Sequence, residues 1–236
     1  NGIASYTYKG WLKVRDSYRY FDGTYWLEGL QEIDGSYYYF LGEEMLDNGS
    51  FGPYRAKAGG RLYQSEWYEQ NGIWYYYDYQ CEQLTDTVVD LYGNGVYYAF
   101  DESGEMVKDE IHCDDFGNAY ILDKNGAGAL VEGTGWYAVN DRWAYAEDGN
   151  LVYEGWKTID GSDYYFEDYY ILQNTRVDDC LLSAGGAKIT TEGWHIVDGE
   201  YYYVKDSSGT IAYGWYEVGD RLTITDGTNS WEIIVS

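Results

Sequence analysis

One short pattern returns along nearly the whole of this sequence: a glycine–aromatic pair, a tight turn, and a run of tyrosines. Gly155-Trp156-Lys157-Thr158-Ile159 leads through Asp160-Gly161 to Ser162-Asp163-Tyr164-Tyr165-Phe166. Gly193-Trp194 leads through Asp198-Gly199 to Glu200-Tyr201-Tyr202-Tyr203-Val204, and Gly29-Leu30 through Asp34-Gly35 to Ser36-Tyr37-Tyr38-Tyr39-Phe40. The anchor after the glycine, or its equivalent, falls at Trp11, Leu30, Trp67, Val88, Ile111, Trp136, Trp156, Trp194 and Trp215, mostly 19 to 25 residues apart. Two intervals are nearly double. Each holds a worn unit: Tyr54-Arg55-Ala56 leading to Gly60-Arg61-Leu62, and Cys180-Leu181-Leu182 leading to Gly186-Ala187-Lys188-Ile189. Counting both gives about eleven units. Repetition constrains the fold strongly, because a unit this short cannot bury its own apolar face and must stack on its neighbours.

The local physics predicts a β-hairpin per unit. Asp-Gly supplies the positive φ angles that a two-residue hairpin turn demands, and the 30 glycines against a single proline suit a chain of such turns. Strand side chains alternate, so the outer rings of Tyr37-Tyr38-Tyr39 face one way and Tyr38 the other. One face should pack on the next unit and the other look outward. An isolated hairpin is marginal in water, so the units must associate. No stretch keeps apolar residues at helical spacing. The expected fold is all-β: a β-hairpin repeat solenoid of about eleven units. Arg221-Leu222-Thr223-Ile224-Thr225, the Asp226-Gly227 turn and Trp231-Glu232-Ile233-Ile234-Val235 read as a C-terminal capping hairpin. With no linker or composition break, residues 1–236 read as one domain. Its opening Asn1-Gly2-Ile3 resembles the tail of a repeat, so a segment of a longer secreted protein is expected.

Composition narrows the function. The formal charge is 15 − 41 = −26. Phosphate binding needs Lys and Arg to release counterions, so nucleic acid is excluded as a partner, and anionic membranes with it. No apolar run approaches the roughly 18 residues of a membrane span, so no membrane insertion is expected. The 31 Tyr and 10 Trp against 6 Phe favour rings with a polar edge, suited to half-buried or ligand-facing positions. Cys81, Cys113 and Cys180 are odd in number and match no metal or redox spacing, so no disulfide framework carries the fold. His112 and His195 lack partners at metal-ligand spacing. Asp123-Lys124-Asn125-Gly126 matches only part of a calcium loop, without its final Glu. The acidic pairs Asp114-Asp115, Glu167-Asp168 and Asp178-Asp179 fall in turns, where nothing would desolvate a catalytic acid. No catalytic residue, metal or cofactor is expected.

The units at Gly155–Phe166 and Gly193–Val204 resemble the cell-wall-binding repeats of Gram-positive surface proteins, a group that includes choline-binding, glucan-binding and clostridial-toxin-type repeats. The resemblance runs from Gly10 to about Tyr216. It implies a secreted or cell-surface binding module with ligand sites between successive hairpins. In the choline-binding members, the site combines the Gly-Trp ring, a Trp two residues after the turn glycine, and an aromatic from the next unit. Here the second place holds Tyr18, Tyr37, Trp74, Tyr97, Ala119, Trp143, Asp163 and Tyr201; Asp163 and Ala119 offer no ring. The expected ligand-binding residues are Trp67, Trp74, Trp136, Trp143, Trp11, Tyr18, Trp156, Trp194, Tyr201 and Trp215. The expected partner is a polysaccharide or cell-wall glycan stacked on these rings. A choline module and a structural or protein-interaction stalk without small ligand are the alternatives.

Overall fold

The computed structural model describes residues 8–212, and the strand backbones of 214–218, 221–225 and 230–234. Every regular element among them is a β-strand, and each registered pair is antiparallel. The Asp-Gly turns behave as the sequence requires: Asp34 and Gly35 have φ of 50° and 76°, Asp160 and Gly161 50° and 82°. Two consecutive left-handed residues twist the chain back into a closely paired hairpin.

Register places five of the tryptophan anchors opposite a tyrosine of the aromatic run. Trp11 pairs with Tyr20, Trp67 with Tyr76, Trp136 with Tyr145, Trp156 with Tyr165 and Trp194 with Tyr203. A short return segment then pairs with the end of the run: Phe40 with Met45, Phe100 with Met106, Phe166 with Ile171, Ala56 with Leu62, and Leu182 with Lys188. The worn units are real hairpins, joining Ser50–Phe51 to Tyr54–Arg55 and Arg176–Val177 to Cys180–Leu181. Strands 214–218, 221–225 and 230–234 pair in order; the Asp226-Gly227 turn lies outside the described residues.

The chain divides into two compact units, residues 1–108 with 122–129 and residues 109–121 with 130–236. In the first, Tyr20, Ile33, Phe40 and Met45 form one cluster with Trp11, Leu27 and Tyr38. Ala56, Leu62 and Cys81 form the next, with Tyr37, Tyr39, Leu46 and Tyr54. The alternation of Tyr37-Tyr38-Tyr39 is therefore as expected, but the outward face is not free. Both faces of this strand are packed, because its aromatic run is shared by two successive clusters. In the second unit, Ile159, Phe166 and Ile171 gather Trp136, Tyr145, Val152 and Tyr164, while Leu181, Val197, Tyr202, Val204 and Ile211 gather Ile189. Phe40, Phe100 and Phe166 are fully buried, each worth about 1.5–3 kcal/mol of burial.

Many of the acids build turns. Asp78, Asp101, Asp114 and Asp123 each accept backbone N–H bonds from residues two and four further on, at 2.7 to 3.0 Å. Asp22 and Asp206 close similar Asx turns. The backbone N–H groups of Tyr25 and Thr24 hold the Asp22 carboxyl below its usual range, and the side chain and backbone of Asn118 do so for Asp114. The Asp22 and Asp114 carboxyls are thereby favoured in the ionised form, which is the opposite of what a proton-donating catalytic acid needs. The three cysteines are free thiols. Burial, with Asp78 nearby, pushes the Cys81 thiol up to about 11.

Candidate binding site

Three cavities in the molecule are built from the same parts. The first, about 290 Å³, is lined by Trp11, Tyr18, Tyr38, Met45 and Gly59. The second, about 270 Å³, is lined by Trp67, Trp74, Tyr98, Met106 and Asn125. The third, about 290 Å³, is lined by Trp136, Trp143, Tyr164, Ile171, Gln173 and Gly185. Each takes an anchor and a wall from one hairpin, a second wall and a floor from the next, and a turn from the one after.

The geometry follows from the strand register. The anchor sits opposite a tyrosine on its own hairpin and meets it edge-on: Trp11–Tyr20 at 5.1 Å and 81°, Trp67–Tyr76 at 5.1 Å and 73°, Trp136–Tyr145 at 5.0 Å and 62°. Its other edge meets the tyrosine of the following hairpin: Tyr38 at 4.8 Å and 66°, Tyr98 at 5.1 Å and 68°, Tyr164 at 5.0 Å and 67°. Two residues beyond that tyrosine comes the buried phenylalanine, lying more nearly parallel to the indole: Phe40 at 27°, Phe100 at 34°, Phe166 at 16°. Edge-to-face pairs contribute about 0.5–1.5 kcal/mol each beyond their burial, so these rings are braced before any ligand arrives. The walls on the anchor's own hairpin stay part-open: Tyr18, Trp74 and Trp143 are 40%, 42% and 43% exposed. Trp67 and Trp74 stand 6.2 Å apart and almost perpendicular, at 84°. Trp67 Nε1 donates to the Tyr92 hydroxyl at 2.9 Å.

The floors depend on glycine. A Cβ on Gly60 would strike the Met45 sulfur; one on Gly126 would lie 2.6 Å from Met106 Cε, and one on Gly186 2.5 Å from Ile171 Cδ1. The turn of the third hairpin thus presses directly on the floor residue, where a side chain would displace it.

Of the expected ligand-binding residues, Trp11, Tyr18, Trp67, Trp74, Trp136 and Trp143 line these cavities. Trp156 pairs edge-on with Tyr165 at 5.3 Å and carries Lys188 Nζ over its ring at 5.4 Å. Trp194 pairs with Tyr203 at 5.2 Å, and Tyr201 is 55% exposed. The Trp215 side chain lies outside the described residues. Sequence reasoning did not place Tyr38, Tyr98 and Tyr164, nor Met45, Met106 and Ile171, among the binding residues. The available signal was the aliphatic residue that follows each aromatic run after a second turn.

Other candidates fall away from these cavities. His195 Nε2 lies 2.7 Å from the Thr191 carbonyl oxygen, and Cys113 Sγ 3.6 Å from the Tyr169 hydroxyl. Asp123 closes its own turn, and within that turn Asn125 reaches the second cavity. Among the described residues, no three His, Cys, Asp or Glu side chains are placed to hold a metal ion.

A family model described as a choline-binding repeat matches residues 64–111. That span contains Trp67, Trp74, Tyr98 and Met106. No curated protein matches the sequence. Among solved structures, the choline-binding domain of CbpL from Streptococcus pneumoniae is 24% identical, over 81% of this chain and 98% of that one, with a TM-score of 0.47. Choline binding protein F from the same organism is 19% identical, over 95% and 93%, with a TM-score of 0.48. The modular autolysin LytC of that species, solved in complex with a synthetic peptidoglycan ligand, is 21% identical with a TM-score of 0.47; the match takes in 91% of this chain and half the length of LytC. Residues 64–111, which supply the rings and the methionine of the second cavity, are thus similar to a choline-binding repeat.

Proposed function

We propose that the chain is a non-catalytic binding module whose three cavities each take a quaternary ammonium group, and that it thereby attaches a secreted protein to choline-bearing glycan of a Gram-positive envelope. The observation that carries this reading is the threefold recurrence of an anchor indole, two further rings and an apolar floor around a volume of about 270–290 Å³. Rings set edge-on to one another surround a compact head; a pyranose would call for a broad, flat platform. Aromatic faces attract cations through the ring quadrupole, by about 0.5–1 kcal/mol where exposed and about 2 kcal/mol when desolvated.

Two further features support the cation. The chain lays its own cations on its rings: Arg55 over Tyr68 at 3.8 Å, Arg142 over Tyr170 at 3.6 Å, Lys57 over Tyr63 at 4.7 Å and Lys13 over Tyr18 at 5.7 Å. A charge of −26 also draws cations from a distance. Each site is weak alone, and several on one array acting on a repetitive surface give avidity. In this reading, residues 1–236 form one repeat domain of about eleven stacked hairpins.

Titration of the whole chain with choline chloride, followed by Trp fluorescence, tests it. Saturable quenching by choline with none by soluble glucan is the expected result. Quenching by glucan alone transfers the cavities to sugar, and silence to both leaves a structural stalk.

A further inference from the structure

The hairpin at Trp156 has the same plan as the three that anchor cavities, with each remaining place filled differently. Where Tyr18, Trp74 and Trp143 form the first wall, Asp163 stands. The cross-strand pairs Phe40–Met45, Phe100–Met106 and Phe166–Ile171 correspond to Leu182–Lys188. Two residues before each phenylalanine is the second-wall tyrosine; two before Leu182 is Cys180. Lys188 therefore occupies the floor position.

The backbone agrees with this alignment. The Met106 N–H donates to the Trp74 carbonyl at 2.8 Å, and the Lys188 N–H to the Asp163 carbonyl at 2.7 Å. Gly126 presses on Met106 just as Gly209 presses on Lys188, where a Cβ would lie 2.7 Å from Cε and 3.5 Å from Cγ. The stem of Lys188 is thus clamped from behind, and its ammonium lies 5.4 Å from the centre of the Trp156 ring, within the range of a cation–π contact.

We propose that Lys188 is a built-in occupant of a fourth site: its ammonium takes the place on Trp156 that an external quaternary ammonium takes on Trp11, Trp67 and Trp136, and so closes this position to ligand. The proposal rests on the ammonium reading of the three cavities. It makes Lys188 a specificity-determining residue that sets how many sites the array presents. Trp156, 42% exposed and on the family's anchor position, is then a ring already satisfied from within the chain.

The test uses the full chain and choline chloride. In wild-type protein, the indole N–H resonances of Trp67 and Trp136, assigned by Trp→Phe substitution, should shift on titration, and that of Trp156 should not. Asp163→Trp with Cys180→Tyr, which supplies both missing rings, should add no choline equivalent by calorimetry, because the lysine still fills the site. Adding Lys188→Met to that pair should add one. A Trp156 indole that titrates in wild type together with the others overturns the proposal, as does an added site while Lys188 is still present. Independently of any rebuilt variant, the Lys188 Hε protons should be ring-current shifted upfield in wild type and return to ordinary values in Trp156→Leu. Unshifted protons in the wild type overturn the contact itself. A wild type that binds no choline anywhere, with the Lys188 shift intact, overturns instead the reading of the three cavities and, with it, the closure of a fourth.

Discussion

The hairpins at Trp136 and Trp156 follow one another in the chain, begin with the same Gly-Trp pair and share the same register, yet of the two only Trp136 lines one of the three cavities described above. Trp136 is braced by Tyr145, Tyr164 and Phe166 and faces Trp143 and Ile171. Trp156 has Tyr165 on its own hairpin, then Asp163, Cys180, Leu182 and Lys188 at the remaining places. The Gly-Trp pair therefore does not make a site. It offers one ring, and the next hairpin decides whether that ring gains walls or a cation.

The largest effect that would sharpen this contrast is on stability. Phe166 is fully buried behind the Trp136 cavity, so Phe166→Ala should lower the unfolding free energy by about 3–5 kcal/mol. Trp156→Ala, which removes a ring already partly in solvent, should cost only about 1 kcal/mol. Urea unfolding compares them, and equal losses would mean the two hairpins are braced alike.

A smaller effect separates two adjacent glycines. Gly186 has a φ of 84° and touches Ile171, so Gly186→Ala should cost about 1–3 kcal/mol and weaken choline binding at Trp136 by displacing the floor. Gly185 has only the Ser183 hydroxyl, 3.8 Å from a Cβ, to accommodate. Gly185→Ala should stay within about 0.5 kcal/mol of wild type. Thermal melts together with calorimetry give both numbers.

The smallest effect lies in binding alone. Trp143→Ala should leave the unfolding midpoint nearly unchanged and weaken one choline site about tenfold, equivalent to about 1.4 kcal/mol. Trp156→Ala should leave the number of choline equivalents as it is. Loss of an equivalent in Trp156→Ala would break the contrast outright.

What the sequence made legible follows from the range of each interaction. The Asp34-Gly35 and Asp160-Gly161 turns are dictated within two residues by backbone sterics, and the hairpins come with them. Trp11, Trp67 and Trp136 and their first walls lie seven residues apart on one hairpin, so they were readable as pairs. Tyr38, Tyr98 and Tyr164 belong to the following hairpin, and Met45, Met106 and Ile171 lie beyond a second turn. Local periodicity carries no record of which hairpin face meets which. Lys188 was hidden for a further reason. It sits in a unit so worn that only the cross-strand pairing of Leu182 with Lys188 aligns it with the methionines. Trp194 and Tyr201 were read on the same footing as the others, but the hairpin after them begins at Gly214, whose strand is described by its backbone alone.

Because each of the three aromatic cavities draws on three consecutive hairpins, the gain or loss of a repeat during evolution cannot be counted one for one in cavities. Excision of the Ser50–Arg55 hairpin with its return turn would erase the pocket anchored forty residues upstream at Trp11, and leave that tryptophan intact. Insertion of a copied unit within such a triplet would disrupt an old pocket before it could found a new one. On the proposed function, valency is thus a property of junctions in the series, and a truncated fragment must keep two repeats beyond the last anchor whose binding it is meant to report.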